Sequence, residues 1–219
     1  MPIELLPQFL KDIQLEIDDC ASQAPLVPSS LRRFFLLMLR GHWSSAANFG
    51  PTLEDSLSCL TWNPDPNERQ IDIELAGTTV TGGRQYTIWV SIGNFKFRQL
   101  SFGKRSDDFE SDNATERYVV ACSCQLLIRH DAPAVDTAFD MAWTTFCFLL
   151  GFNEVIVNAL GEGASFTPEV LGEPKLEEQS PKSRFRVDVG ARLDINLAVA
   201  TTVESHRLKL VSLDQTAQS

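Results

Sequence analysis

From Phe185 onward the chain alternates between apolar and polar residues for longer than any other stretch. Phe185, Val187, Val189, Ala191, Leu193, Ile195, Leu197 and Val199 occupy every second position, with Arg186, Asp188, Gly190, Arg192, Asp194, Asn196 and Ala198 between them. Successive side chains of a strand point to opposite faces, so this pattern demands one buried and one wet face. The strand-like segment runs from Arg184 to Leu213, well past the usual strand of about five or six residues. That length needs a reason beyond a small core: a bend, a long hairpin or pairing with another chain. The apolar side is expected to pack under a helix. Arg186, Asp188, Arg192 and Asp194, alternating in sign on the wet side, are candidates for contacts between subunits.

The rest of the chain supplies partners for such a strand. Residues 1–20 fit either a helical face (Leu6, Leu10, Ile13, Ile17) or an alternating strand (Ile13, Leu15, Ile17), and Pro25 and Pro28 mark a linker. Ser29 and Ser30 can cap a helix over Leu31–Gly41, with His42, Trp43 and Phe49 in the loop beyond. Ile71, Ile73 and Leu75 alternate with Asp72 and Glu74. A glycine-containing tip, Gly77–Arg84, then leads to Tyr86–Ile92, which reads as a hairpin. Lys104–Thr115 is acidic and reads as a loop, whereas Glu116–His130 alternates as a strand. Ala134–Leu150 is a helix with Ala138, Met141, Ala142, Thr145, Phe148 and Leu149 on one side, and Phe139, Trp143 and Phe146 widening its apolar surface. Gly151 ends it, Asn153–Leu160 continues as a short helix, and Gly161–Lys182 reads as loop with one short strand near Phe166.

The resulting fold class is α+β: a mainly antiparallel sheet with a long hairpin, one main helix packed across it, and an N-terminal helical segment. The domain reading is an N-terminal extension and linker at 1–28, a single domain at 29–213, and a tail at 214–219.

Composition narrows the function classes. The 219 residues are 43% hydrophobic and 22% charged, ordinary for a globular protein. A net charge of −10 argues against a nucleic-acid coat, which relies on Lys and Arg to neutralise phosphates. An acidic wall is still compatible with DNA that passes without sticking. Cys20, Cys59, Cys122, Cys124 and Cys147 lack metal-ligand spacing and are expected as buried free thiols. No secretory signal and no apolar run long enough for a membrane span is visible.

The search for chemistry is nearly empty. There is no phosphate-binding G-x-x-x-x-G-K-[ST], no H-E-x-x-H and no G-x-S-x-G. His42, His130 and His206 lie far apart, and His130 and His206 read as polar strand-end or surface residues. The expectation is therefore no enzyme, no cofactor and no metal. The aromatics of the second strand region are more telling. Trp89 lies on the face opposite Ile88, Val90 and Ile92, so Trp89, Phe95, Phe97 and Phe102 cannot all reach the core, and they are candidates for an interface.

Four runs carry a resemblance: the strands at Ile71–Ala76 and Thr87–Ile92; Leu126–His130 followed by the alanine-containing helix; Phe166-Thr167-Pro168 with Leu171-Gly172-Glu173-Pro174; and the end Val203–Lys209. In order and texture, from about Leu31 to Leu213, the chain resembles the tail-terminator and related neck proteins of tailed bacteriophages. The resemblance implies a structural virion protein that forms a ring, commonly of six copies, in the neck or tail, assembled in the host cytoplasm. Its implied neighbours are other copies of itself, the tail tube protein, a head-side connector or stopper protein and the sheath. DNA would pass through the channel without sequence-specific binding. The alternative is a host α+β module binding a peptide or small ligand in an apolar pocket.

Overall fold

A computed structural model describes residues 28–49, 57, 59–78, 85–99, 104–105, 113–161, 163–177 and 184–204. The expected extension before Pro28 and the tail at 214–219 lie outside these residues, as do Phe102, Cys20 and His206. In chain order the elements are α1 (Pro28–His42), a 3-10 turn (Ala46–Asn48), β1 (Asp72–Leu75), β2 (Thr87–Gln99), β3 (Lys104–Arg105) and β4 (Asn113–Ala132). They continue with α2 (Val135–Gly151), α3 (Asn153–Leu160), β5 (Ser165–Leu171), β6 (Lys175–Glu177) and β7 (Arg184–Glu204). The class is α+β.

Among the described residues seven strands form one sheet in the order β1-β2-β4-β7-β5, with β3 added to β4 and β6 to β7. Its spine is the antiparallel pair β4–β7, in register from Asn113↔Glu204 to Ala132↔Phe185. The alternation of β7 is realised: Val187, Val189, Ala191, Leu193 and Ile195 are buried. Opposite them on β4, Cys122, Cys124, Leu126, Ile128 and His130 are buried on the same face. Ile88, Val90 and Ile92 extend that face across β2.

α1 covers the face over β1 and β2, and α2 covers it over β4, β7 and β5. Phe35 of α1 meets Phe166 of β5 with ring centroids 5.7 Å apart, joining the two halves of the core. Pro28 stands at the first turn of α1, where its missing N–H costs nothing, so Ser29 and Ser30 fall inside the helix and not at its cap. α2 and α3 are apolar enough together for a membrane span but bend by 62° at Phe152, and no single described helix meets the length and hydropathy such a span requires.

Several expectations are corrected. β1 and β2 are not a hairpin: they run parallel, with Asp72 beside Thr87 and Leu75 beside Val90. Alternation reports which face a residue takes and is blind to strand direction; the 11 residues between Leu75 and Thr87 carry the chain back to its starting level, near the length of about a dozen that a parallel crossover needs. The long β4–β7 pair is not a hairpin either, because α2, α3, β5 and β6 lie between its strands in the chain. The stretch from Gly161 to Lys182 holds the short strand expected near Phe166, as β5, and a second strand, β6, that was not expected. β5 tolerates Pro168 because it is an edge strand with a register shift between Pro168 and Val170. In the acidic stretch, Lys104–Arg105 pair with Arg117 and Glu116, and β4 already begins at Asn113.

The two terminal strands of the sheet order each carry an interruption. The Arg40 guanidinium donates from Nε and Nη2 to the Ile73 carbonyl at 3.0 and 2.9 Å, occupying an acceptor of edge strand β1, and also meets Glu74 at 3.0 Å. On the other side, Pro168 and the irregularity after it interrupt β5. Such interruptions disfavour strand addition at β1 and β5 themselves.

Candidate functional site

Of the three histidines, His42 and His130 are described, and both are core residues. His130 is not a surface residue: it is fully buried in the inner row of β4. Its Nδ1 lies 3.3 Å from the Val187 carbonyl, which can only accept, so Nε2 accepts from the Thr145 hydroxyl at 2.8 Å. Burial pushes its pKa down to about 4. His42 is not in a loop. It ends α1, buried against Phe148, Trp43 and Phe49, with Nε2 unpaired and a pKa pushed down to about 3 by burial. Both rings are neutral parts of the core. Among the described residues, no three His, Cys, Asp or Glu side chains gather as metal ligands.

On the open face of the sheet the charges are arranged in a chain. Trp89 Nε1 donates to Asp131 Oδ2 at 3.0 Å, and Arg129 Nε donates to Asp131 Oδ1 at 2.7 Å. Arg129 also reaches Glu177, whose other oxygen accepts from Arg186 Nη1 at 2.9 Å, while Arg186 Nε donates to Asp188 at 2.8 Å. The Arg186 hydrogen bond holds the Glu177 carboxyl below its usual range. Further along β7, Arg192 pairs with Asp194 at 3.0 Å. Residues i and i+2 share a face of a strand, so each Arg-x-Asp neutralises itself. All four charged candidates of β7 do face outward, yet each has its partner within the chain. Trp89 is also on this face, half-buried and held by Asp131.

The other aromatics are placed by a bulge. The register shifts between Gly93 and Lys96, and Asn94 sits at φ 54°, in the left-handed region that side chains rarely adopt. Asn94 Nδ2 donates to Gln125 Oε1 at 2.6 Å. One extra residue reverses the parity of the strand. Ile92 is opposite Leu126 on the inner face, and after the bulge Phe97 is opposite buried Cys122, so it too lies on the inner face. Strict alternation from Trp89 would put Phe95 and Phe97 on the outer face, and the bulge puts them on the inner one. Phe95 packs partly on the core, its ring parallel to that of Phe97 at 6.3 Å. Phe97 is 62% exposed all the same. Arg32, in the first turns of α1, donates to the Ile92 carbonyl at 3.1 Å, and β2 runs on past that level. Lys96 and Arg98, both exposed, flank Phe97. An open hollow of about 800 Å³ adjoins this strand end, lined by Phe95, Phe97, Ile195, Arg192, Asp194 and Glu169 among others.

A second surface was not among the sequence candidates. Val135, Phe139, Trp143 and Leu150 of α2 are exposed, Trp143 by 44%, and Phe146 is partly buried beside Trp143 with ring centroids 6.3 Å apart. At about 100° per residue these five positions fall within an arc of about 80° along the helix. The expected core side of α2 is correct: Ala138, Met141, Ala142, Thr145, Phe148 and Leu149 are buried. The widening by Phe139 and Trp143 is instead exposed. Asp136 and Asp140 border the stripe, and burial together with repulsion from Asp136 raises the Asp140 pKa. A signal for this surface exists in the sequence: α2 is apolar almost all round, which means burial on every side, while one sheet face covers only one side. Cys147, beside the stripe, and Cys59 are exposed free thiols, against the expectation of burial, whereas Cys122 and Cys124 are buried.

Comparison of the sequence with protein-family models and with curated proteins returns no match. The reading of function therefore rests on these surfaces.

Proposed function

We propose that this chain is a non-enzymatic structural subunit of a bacteriophage neck or tail. In this reading it is a tail terminator or related joining protein that forms a ring, with six copies expected. The ring caps the tail tube and meets the head-side connector or stopper, with the sheath as a further neighbour. It is assembled in the host cytoplasm and resides in the virion. The single observation that carries the assembly part is the exposed apolar stripe of α2. A contiguous apolar patch of that kind marks a contact surface. The viral setting rests on the resemblance in element order described above. A charge of −10 on each copy, multiplied around a channel, would let DNA slide past. The outward pair Arg192–Asp194, about half exposed, is available at the rim of such contacts.

The test is native mass spectrometry of the full chain, alone and with a tail-tube protein. A closed ring of uniform copy number is expected in at least one of the two. A monomer in both overturns the reading.

A second reading, a module binding a peptide or small ligand, is favoured by the hollow beside Phe97. It requires that Phe97→Ala abolish capture of a ligand by a protein that stays monomeric.

A further inference from the structure

We propose that residues 12–18 of this chain, which lie outside the described residues, pair as a strand with the open side of β2 at residues 96–98. The pairing is within one copy and does not depend on the assembly reading. β1 accompanies β2 only from Thr87 to Val90, and among the described residues no strand lies beside residues 91–99 on that side. The backbone there is aimed outward. The Val90 carbonyl accepts from the Ala76 N–H at 2.9 Å and the Ile92 carbonyl accepts from Arg32 at 3.1 Å, so the inner-face residues of β2 turn their backbone groups away from β4. Residues of an antiparallel pair alternate between bonding the partner and facing away from it. Phe97 is back on the inner face after the bulge, opposite Cys122, so its N–H and C=O point to the open side, beside a ring that is 62% exposed. A strand edge of this kind is normally covered or blunted.

Tether, pattern and charge name the occupant. Arg32 lies at Ile92, and Arg40 lies at Ile73, the partner of Ile88. The helix α1 therefore runs antiparallel to β2, and its start at Pro28 points toward Phe97. Phe97 is about 16 Å beyond Ile92 along the strand, and residues 20–27 can span up to about 27 Å. Ile13, Leu15 and Ile17 alternate with Asp12, Gln14, Glu16 and Asp18. With the apolar row on the inner face, they continue the side of the sheet that carries Phe97. The same pairing sets Asp12, Glu16 and Asp18 on the outer face, where Lys96 and Arg98 stand exposed, opposite Ser123 and Ala121. The open edge and the tether choose the place, and the charges agree with it. Of the two readings of residues 1–20, the edge selects the strand, since a helix satisfies its own backbone and leaves that of Phe97 open.

The experiment is hydrogen exchange of the full chain at pH 7, read by mass spectrometry on peptides covering residues 12–18 and 94–99. Both should exchange at least about tenfold more slowly than in the unfolded chain. Leu15→Pro removes a backbone donor and bars a strand interior, so it should speed exchange in both peptides. Continued protection of the β4–β7 pair in the same sample establishes that the variant is folded. Glu16→Lys with Asp18→Lys should speed exchange at 94–99, and adding Lys96→Glu with Arg98→Glu should slow it again. Residues 12–18 exchanging at unfolded-chain rates in the wild type overturns the proposal. So does a protected 12–18 whose release by Leu15→Pro leaves 94–99 unchanged, the result for a helix or for docking elsewhere. Sedimentation velocity on the same samples identifies the source of the strand. Protection in the monomer is expected, whereas protection that appears only on self-association means a second copy supplies the strand and overturns the pairing within one chain.

Discussion

The imidazole of His42, at the end of α1, lies flat on the ring of Phe148 in α2, with centroids 4.2 Å apart and planes 16° from parallel. This stack ties the helix over β1 and β2 to the helix over β4 and β7. It buries a titratable group with an unpaired Nε2 in the seam between them.

Acid should therefore loosen the core. His42 and His130 have native pKa values of about 3 and about 4, against an ordinary value of 6.5. Below 6.5 the unfolded chain binds protons that the native chain refuses, so stability is present at neutral pH and is lost as pH falls toward 4. The slope should approach two protons, roughly 2.7 kcal/mol per pH unit. His42→Phe keeps the stack and removes one of the two, so its slope should drop to about one proton. Urea unfolding at a series of pH values measures this, and an unchanged slope in the variant would sink the account.

Glu177 holds two arginines on the open face, so Glu177→Gln should cost roughly 1 kcal/mol at neutral pH, a modest figure because the group is partly exposed. Its carboxyl is held below the ordinary value of 4.5, so the contribution exists above that pH and disappears as pH falls below it. The difference between wild type and variant should then shrink as the pH is lowered below 4.5, and 1 M salt should shrink it at pH 7.

Thiol reactivity separates the exposed cysteines from the buried ones. Cys59 and Cys147 should be alkylated in the native chain, Cys147 more slowly because burial raises its pKa, while Cys122 and Cys124 should react only on unfolding. Peptide mapping after brief alkylation reports each site. Cys147 adjoins the α2 stripe, so it should become protected on assembly while Cys59 stays reactive.

Asn94 tests the bulge. Asn94→Gly should be close to neutral, trading the hydrogen bond to Gln125 for freedom at φ 54°. Asn94→Val should cost about 1–2 kcal/mol, since a β-branched residue is strained there. If valine shifts the register, Phe97 moves to the other face, and the open edge of β2 should lose protection beyond what stability alone explains. Thermal melts and hydrogen exchange on both variants separate the two effects.

Much of the fold was legible because burial writes a period into the sequence. The inner rows of β4 and β7 and the core side of α2 are the residues that alternation and helical spacing select. The parallel pairing of β1 with β2 was not legible, because the same alternation serves either direction. Nor was the side taken by Phe97, because a single residue in a bulge reverses all parity after it. The exposure of Trp143 depends on how much of α2 the sheet covers, which is a matter of packing and not of spacing.

By itself, then, the chain from Phe185 to Ile195 determined a strand with one apolar face, since backbone geometry sends alternate side chains to opposite sides. Only the tertiary structure decided what its charged face does. It brought Glu177 and Arg129 from other strands to within reach of Arg186 and Asp188, turning expected contact residues into an internal network. Whether a charge or an aromatic finds its partner within one chain depends on residues distant in sequence, and only folding brings them together.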